Sequence, residues 1–214
     1  MTRIKLCGLS RPLDIMTANE LMPDYIGFVF APASRRYVPP QEAGRLRKML
    51  RPGIQAVGVF VDEAPEAVAR LMGNGTIDLA QLHGHEDEAY ISRLRSLTAG
   101  KIIQAFRIRS EEDLRRAVRS SADHILLDSG AGTGSVFDWK LLKAEKSERQ
   151  YLLAGGLDCR NVREAVRQLH PWAVDVSSGI ETGGVKDAGK MADFVYAVRE
   201  ENHKFEESLP AETE

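Results

Sequence analysis

Arg3-Ile4-Lys5-Leu6-Cys7-Gly8 is the stretch from which the fold is read. It is a short apolar run that stops at a glycine. A helix-like segment over 12–20 follows it, with Ser10 as the expected N-cap. The same strand-then-helix unit recurs along the chain. Short runs at 25–29, 56–60, 77–81, 101–105, 124–127, 151–153 and 173–176 join 4–6 to make eight. They are mostly continuous apolar runs rather than alternating ones, as expected when both faces of a parallel strand are covered. Helical segments are expected between them at 40–50, 64–72, 87–97, 110–118, 138–144 and 158–169, and one more at 187–199. Ser110, followed by Glu111, Glu112 and Asp113, is a good N-cap with acidic residues in the first turn.

Strict alternation of this kind predicts an α/β fold, a single (β/α)8 TIM barrel. The competing architecture is a doubly wound open sheet. Its usual mark, a Gly-x-Gly-x-x-Gly after the first strand, is missing. The chain allows about 27 residues per unit, against a typical barrel of about 250 residues in all, so most loops must be short. The barrel is expected over residues 1–199. Residues 200–214 are mostly polar and acidic and are expected to be a frayed extension.

Bulk composition excludes several function classes. Apolar residues make up 43% of the 214, charged residues 28%, and the formal net charge is −2. No basic stripe suggests a nucleic-acid partner. The arginines at 115, 116 and 119 alternate with Leu114, Ala117 and Val118, which reads as a solvated helix face. No run approaches the roughly 20 apolar residues that span a bilayer. The sequence holds only two cysteines, Cys7 and Cys159, which fits a reducing compartment, so the chain is expected to be cytoplasmic. It is expected to act as a monomer or a homodimer.

In a parallel barrel the residues just after each strand share one mouth, where the chemistry is placed. Cys7 ends the first strand and Asp128 the sixth, a thiol and a carboxylate suited to proton transfer. Gly155-Gly156 after the seventh strand and Ser177-Ser178-Gly179 after the eighth offer backbone N–H groups and hydroxyls to a phosphate, where barrels commonly bind one. One Gly-Gly pair alone would read as a tight turn, but two adjacent loops of this composition favour phosphate. Arg36, in Ser34-Arg35-Arg36-Tyr37, can pair with a carboxylate, with Arg35 the more solvated of the two. His83 is a ligand or a satisfied core histidine. No second His or Cys stands at a metal spacing, so no metal site is expected. Phe106-Arg107 has no assigned role. The segment from Ser129 to Val136, with glycines at 130, 132 and 134, is read as a cover over the mouth. Cys159 is read as structural, in the first turn of a helix.

Taken together, these motifs resemble phosphoribosylanthranilate isomerases. The matching stretches are Lys5-Leu6-Cys7-Gly8, Gly27-Phe28-Val29-Phe30 with Ser34-Arg35-Arg36-Tyr37, Val57-Gly58-Val59-Phe60-Val61 and Gln81-Leu82-His83-Gly84. They continue with Leu126-Leu127-Asp128, Phe137-Asp138-Trp139, Ala154-Gly155-Gly156-Leu157 and Val174-Asp175-Val176-Ser177-Ser178-Gly179-Ile180-Glu181. The resemblance implies a single barrel of tryptophan biosynthesis that needs no cofactor or metal. It makes Cys7 the general base, Asp128 the general acid and Arg36 the anchor of the anthranilate carboxylate. Asp175 becomes a substrate contact, and the two glycine and serine loops become the phosphate site. His83 lies in a matching motif with its role open.

Two departures stand out. Ala131 and Ser135 replace a glycine and a basic residue of the sixth loop. Gly183-Gly184-Val185-Lys186-Asp187 lacks the family's proline, which is expected to loosen that turn. The competing functions are the related aminoaldose isomerase of histidine biosynthesis and a non-catalytic phosphosugar-binding barrel. The first typically carries Asp at both catalytic strand ends and reads as two half-barrels. The second would lack one proton carrier. Cys7 and the lack of a visible half-repeat argue against the first, and the presence of both Cys7 and Asp128 argues against the second.

The implied chemistry has an energetic difficulty. An ordinary Asp must hold a proton near neutral pH, a handicap of about 4 kcal/mol, and an ordinary Cys must lose one, about 2 kcal/mol. Lys5 is expected to favour the thiolate.

Overall fold

The computed structural model describes residues 1–128 and 149–208. Eight parallel strands close into a barrel in sequence order, with β1 paired to both β2 and β8. They are β1 (Arg3–Cys7), β2 (Tyr25–Val29), β3 (Gln55–Phe60), β4 (Leu79–Leu82), β5 (Lys101–Arg107), β6 (His124–Asp128), β7 (Tyr151–Ala154) and β8 (Ala173–Val176). Helices α1 (Pro12–Leu21), α2 (Pro40–Met49), α3 (Pro65–Gly73), α4 (Glu88–Leu97), α5 (Glu111–Arg119), α6 (Val162–Leu169) and α7 (Ala188–Ser208) accompany them. The (β/α)8 expectation holds. The helix expected over 138–144 and the glycine-containing segment before it lie outside the described residues.

The strand residues divide by a period of two. Ile4, Leu6, Ala80, Leu82, Ile125, Leu127, Val174 and Val176 join the shell between barrel and helices. Tyr25, Val57, Leu79, Ile103, Leu126, Leu152 and Ala173 form a separate cluster that fills the barrel interior. Above it the interior turns polar: Lys5, Gln81 and Asp175 are buried there. Cys7 packs with Val29 and Val59 at the mouth.

Four local expectations change. Strand β4 starts at Leu79 rather than Ile77, because the Ile77 N–H is bonded to the Leu71 carbonyl at the end of α3. Arg11, not Ser10, is the N-cap of α1. The Asp14 carboxylate accepts the N–H groups of both. Helix α6 begins only at Val162, so Cys159 sits in the turn before it, where Asp158 accepts the Arg160 and Asn161 N–H groups. Finally, α7 runs on to Ser208. Over 200–208 the chain is therefore helix rather than a frayed extension. Asn202 ties it down, accepting the Thr2 N–H at 2.8 Å and donating to the Thr2 carbonyl at 2.9 Å.

Candidate active site

Cys7 and Asp128 are the last residues of β1 and β6, and both line one cavity of about 460 Å³ at the mouth. One turn of pleat below Cys7 is Lys5, fully buried, whose ammonium bonds Asp175 at 2.8 Å. The pair follows from the register, because Lys5 and Asp175 are direct partners across β1 and β8. Burial alone would lower the Lys5 pKa, but Asp175 and Cys7 outweigh it and the ammonium is raised. Burial pushes the Cys7 thiol up. Lys5 and Lys186 pull it down and Asp175 pushes it further up, and the net direction is upward. Lys5 thus acts as expected without winning.

Arg36 also lines the cavity, and it is held from behind. Its Nε donates to Glu181 Oε1 at 2.6 Å and its Nη2 to Oε2 at 2.9 Å. A guanidinium has five N–H donors, so this grip leaves others for an anion in the cavity. Arg35 is largely solvated as expected, yet it too reaches Glu181, at 2.7 Å. Lys186 completes the cluster, 2.7 Å from Glu181 Oε1 and 2.8 Å from the Ser177 carbonyl. Burial would raise the Glu181 carboxyl, but Arg36 and Lys186 hold it below the usual range. Burial lowers the Lys186 ammonium, with Glu181 only partly offsetting this.

Of the residues expected to hold phosphate, Gly155, Gly156, Ser177 and Ser178 line the cavity. Gly155 and Gly156 have φ of 94° and 65°, which only glycine adopts without strain. Gly179 stands back from the cavity. A side chain there would collide with the Leu157 carbonyl, so its smallness locks the two loops together. Strand β8 leads into a single 3-10 turn, Ser178–Ile180. What these loops offer an anion is therefore N–H groups and hydroxyls more than a helix dipole.

His83 and Arg107 enter the cavity from β4 and β5. His83 Nε2 lies 3.7 Å from Asp128 Oδ2, and its Nδ1 lies 3.2 Å from Gln81 Nε2. Arg107 is the register partner of Asp128. Among the described residues no group of three or more His, Cys, Asp or Glu could hold a metal ion.

Comparison with known proteins agrees with this geometry. The family model for N-(5'-phosphoribosyl)anthranilate isomerase matches residues 4–197. The chain belongs to that family. A curated member from Caldanaerobacter subterraneus is 45% identical over 204 residues, covering 93% of this chain and 98% of its own. The crystal structure of phosphoribosylanthranilate isomerase from Thermotoga maritima superposes with a TM-score of 0.86 at 35% identity, covering 94% of this chain and all of its own. A second isomerase structure, at TM-score 0.84 and 35% identity over the same shares, is a complex with reduced 1-(o-carboxyphenylamino)-1-deoxyribulose 5-phosphate.

Of the two departures from the isomerase pattern, Ala131 and Ser135 lie outside the described residues. The second is a firm structure rather than a loosened turn. Glu181–Thr182 and Val185–Lys186 form a two-stranded hairpin, with Gly183 and Gly184 at φ of 60° and 82° between them. Two central residues at positive φ mark a type I′ turn, the preferred short connection. The hairpin pairs Lys186 with Glu181 directly. Sequence reasoning gives no role to either residue, nor to Gln81, although all three stand in motifs. A Gly-Gly pair between two short segments was the available signal for a hairpin.

Proposed function

We propose that this chain isomerises N-(5'-phosphoribosyl)anthranilate to 1-(o-carboxyphenylamino)-1-deoxyribulose 5-phosphate in tryptophan biosynthesis. One observation carries the mechanism: Cys7 and Asp128 line the same cavity as Arg36 and the loops of Gly155-Gly156 and Ser177-Ser178. A substrate anionic at both ends would be held by its carboxylate at Arg36 and its phosphate at those loops. The ribose would then lie between acid and base. Asp175, locked to Lys5 and lining the cavity, is the proposed sugar contact.

Asp128 protonates the ring oxygen. The C1–O bond breaks as the nitrogen lone pair forms an iminium. The Cys7 thiolate then takes the proton from C2 and its electron pair becomes the enolamine double bond, which tautomerises to the ketone. Atoms and electrons balance within one molecule, as an aldose–ketose isomerisation requires. Two cysteines in 214 residues support a cytoplasmic setting. Among the described residues, no helix is long and apolar enough to cross a membrane.

The test is turnover of freshly made substrate without added metal, followed by its fluorescence. No turnover sinks the reading. Asp128→Asn and Cys7→Ala should each lower kcat by at least about 100-fold, the usual scale for general acid–base groups. Binding of the reduced product analogue should stay largely intact. Near-wild-type turnover in either variant removes that residue from its role.

A further inference from the structure

Gln81 is a cavity residue to which the acid–base reading gives no work. It stands on β4 in the polar layer beside Lys5 and Asp175 and is almost fully buried. Its amide oxygen has no hydrogen-bond partner among the described residues. A buried, unpaired amide oxygen opposes stability, so packing alone would favour an apolar side chain of this size. The amide nitrogen, in contrast, is engaged. It lies 3.2 Å from His83 Nδ1.

An amide nitrogen can only donate. With the amide in this orientation Nδ1 is the acceptor, and the imidazole carries its proton on Nε2. That nitrogen is the one facing Asp128, at 3.7 Å. We propose that Gln81 is a positioning residue that holds His83 as the neutral Nε2–H tautomer, so that an N–H group, not an imidazolium, faces Asp128 and the substrate. The consequence rests on Asp128 being the acid; the geometry does not. Arg107 already stands beside Asp128 in register. A second cation 3.7 Å away would favour the carboxylate over the acid that must give its proton to the sugar. Neutral His83 avoids this while still offering a donor.

The experiment compares wild type, Gln81→Met and His83→Asn. Two-bond proton–nitrogen spectra of 15N-labelled protein, taken at about pH 8 where an ordinary imidazole is neutral, report which ring nitrogen carries the proton. The His83→Asn spectrum assigns the signal among the five histidines. Wild type should show His83 protonated on Nε2, and Gln81→Met a mixture of both tautomers. On the scale known for partners that orient metal-bound imidazoles, Gln81→Met should lower activity by about 10–100-fold. The loss should fall on kcat, with KM changed by less than about 3-fold and Tm unchanged or raised.

A wild-type proton on Nδ1 overturns the proposal. So does a Gln81→Met variant with unaltered tautomer, whether its rate is unchanged or it has merely lost Tm, and so does a changed tautomer with unchanged kcat. If wild type fails to turn over the substrate, the isomerase reading fails on its own, and the spectra still decide what Gln81 does to His83.

Discussion

The Cys7 sulfur carries its proton at rest, because burial raises the thiol more than Lys5 and Lys186 lower it. The proposed mechanism needs the same single proton on Asp128 instead. The two arrangements have equal total charge, so their ratio does not change with pH. Each unit by which the thiol is raised makes the productive arrangement about tenfold rarer. Arrival of an anionic substrate beside Asp128 is what can tip the balance back. The pH dependence follows with its sign. The rate is flat while the pair holds one proton, falls in acid when a second binds, and falls in alkali when the last one leaves. The upward push on Cys7 places the alkaline limb above the ordinary thiol value of about 8.5. The alkaline limb of a kcat/KM profile should therefore be centred above about pH 8.5. Iodoacetamide labelling of Cys7 in a Cys159→Ser background should follow the same limb. An alkaline limb centred below the ordinary thiol value would contradict the upward shift.

The hairpin over 181–186 is the element that brings Arg36 and Lys186 to one carboxylate. Its turn depends on Gly183 and Gly184, both left-handed. A valine at 184 would meet open space apart from the tip of Arg35, so its effect comes from the backbone. The left-handed conformation costs a side-chain-bearing residue about 1–2 kcal/mol. Gly184→Val should lower urea stability by that amount. It should also raise KM by up to about tenfold, which is 1.4 kcal/mol, with kcat less affected because Cys7 and Asp128 stand on other strands. An unchanged KM would detach the hairpin from substrate binding.

The same hairpin shows what the sequence discloses. The eight strands were legible because continuous apolar runs between helix periods are local patterns. Cys7, Asp128 and Arg36 reach one cavity because strand ends in a parallel barrel share one mouth. The Glu181 cluster and the clasp of Asn202 on Thr2 are side-chain meetings between distant or folded-back segments. Periodicity carries no trace of them. The helical stretch 200–208 escapes a sequence reading for that reason: its polar composition is that of a solvated tail, and contacts such as the bond to Thr2, 200 residues away, and the His170–Phe205 ring pair show otherwise.

Across the whole molecule, the barrel separates stability from chemistry along its axis. At the bottom, Trp172 stacks on His124 with 4.2 Å between ring centroids and carries the Arg3 guanidinium at 4.6 Å, beneath an apolar interior layer. One layer up, that pattern is abandoned for a buried ion pair, Lys5 with Asp175. Buried pairs gain little over well-packed apolar residues, but removing one partner strands a charge. Lys5→Met alone should therefore lose about 3–5 kcal/mol in urea unfolding, while Lys5→Met with Asp175→Leu should recover to wild-type stability or exceed it by about 1–4 kcal/mol. Both variants should lose turnover, because Lys5 is the largest influence drawing the Cys7 thiol toward its thiolate and Asp175 lines the cavity. A double variant as stable as wild type yet inactive would show that this layer is charged for catalysis at the expense of folding. A double variant no more stable than Lys5→Met alone would show instead that the pair is structural, and that the polar layer belongs to the core beneath it.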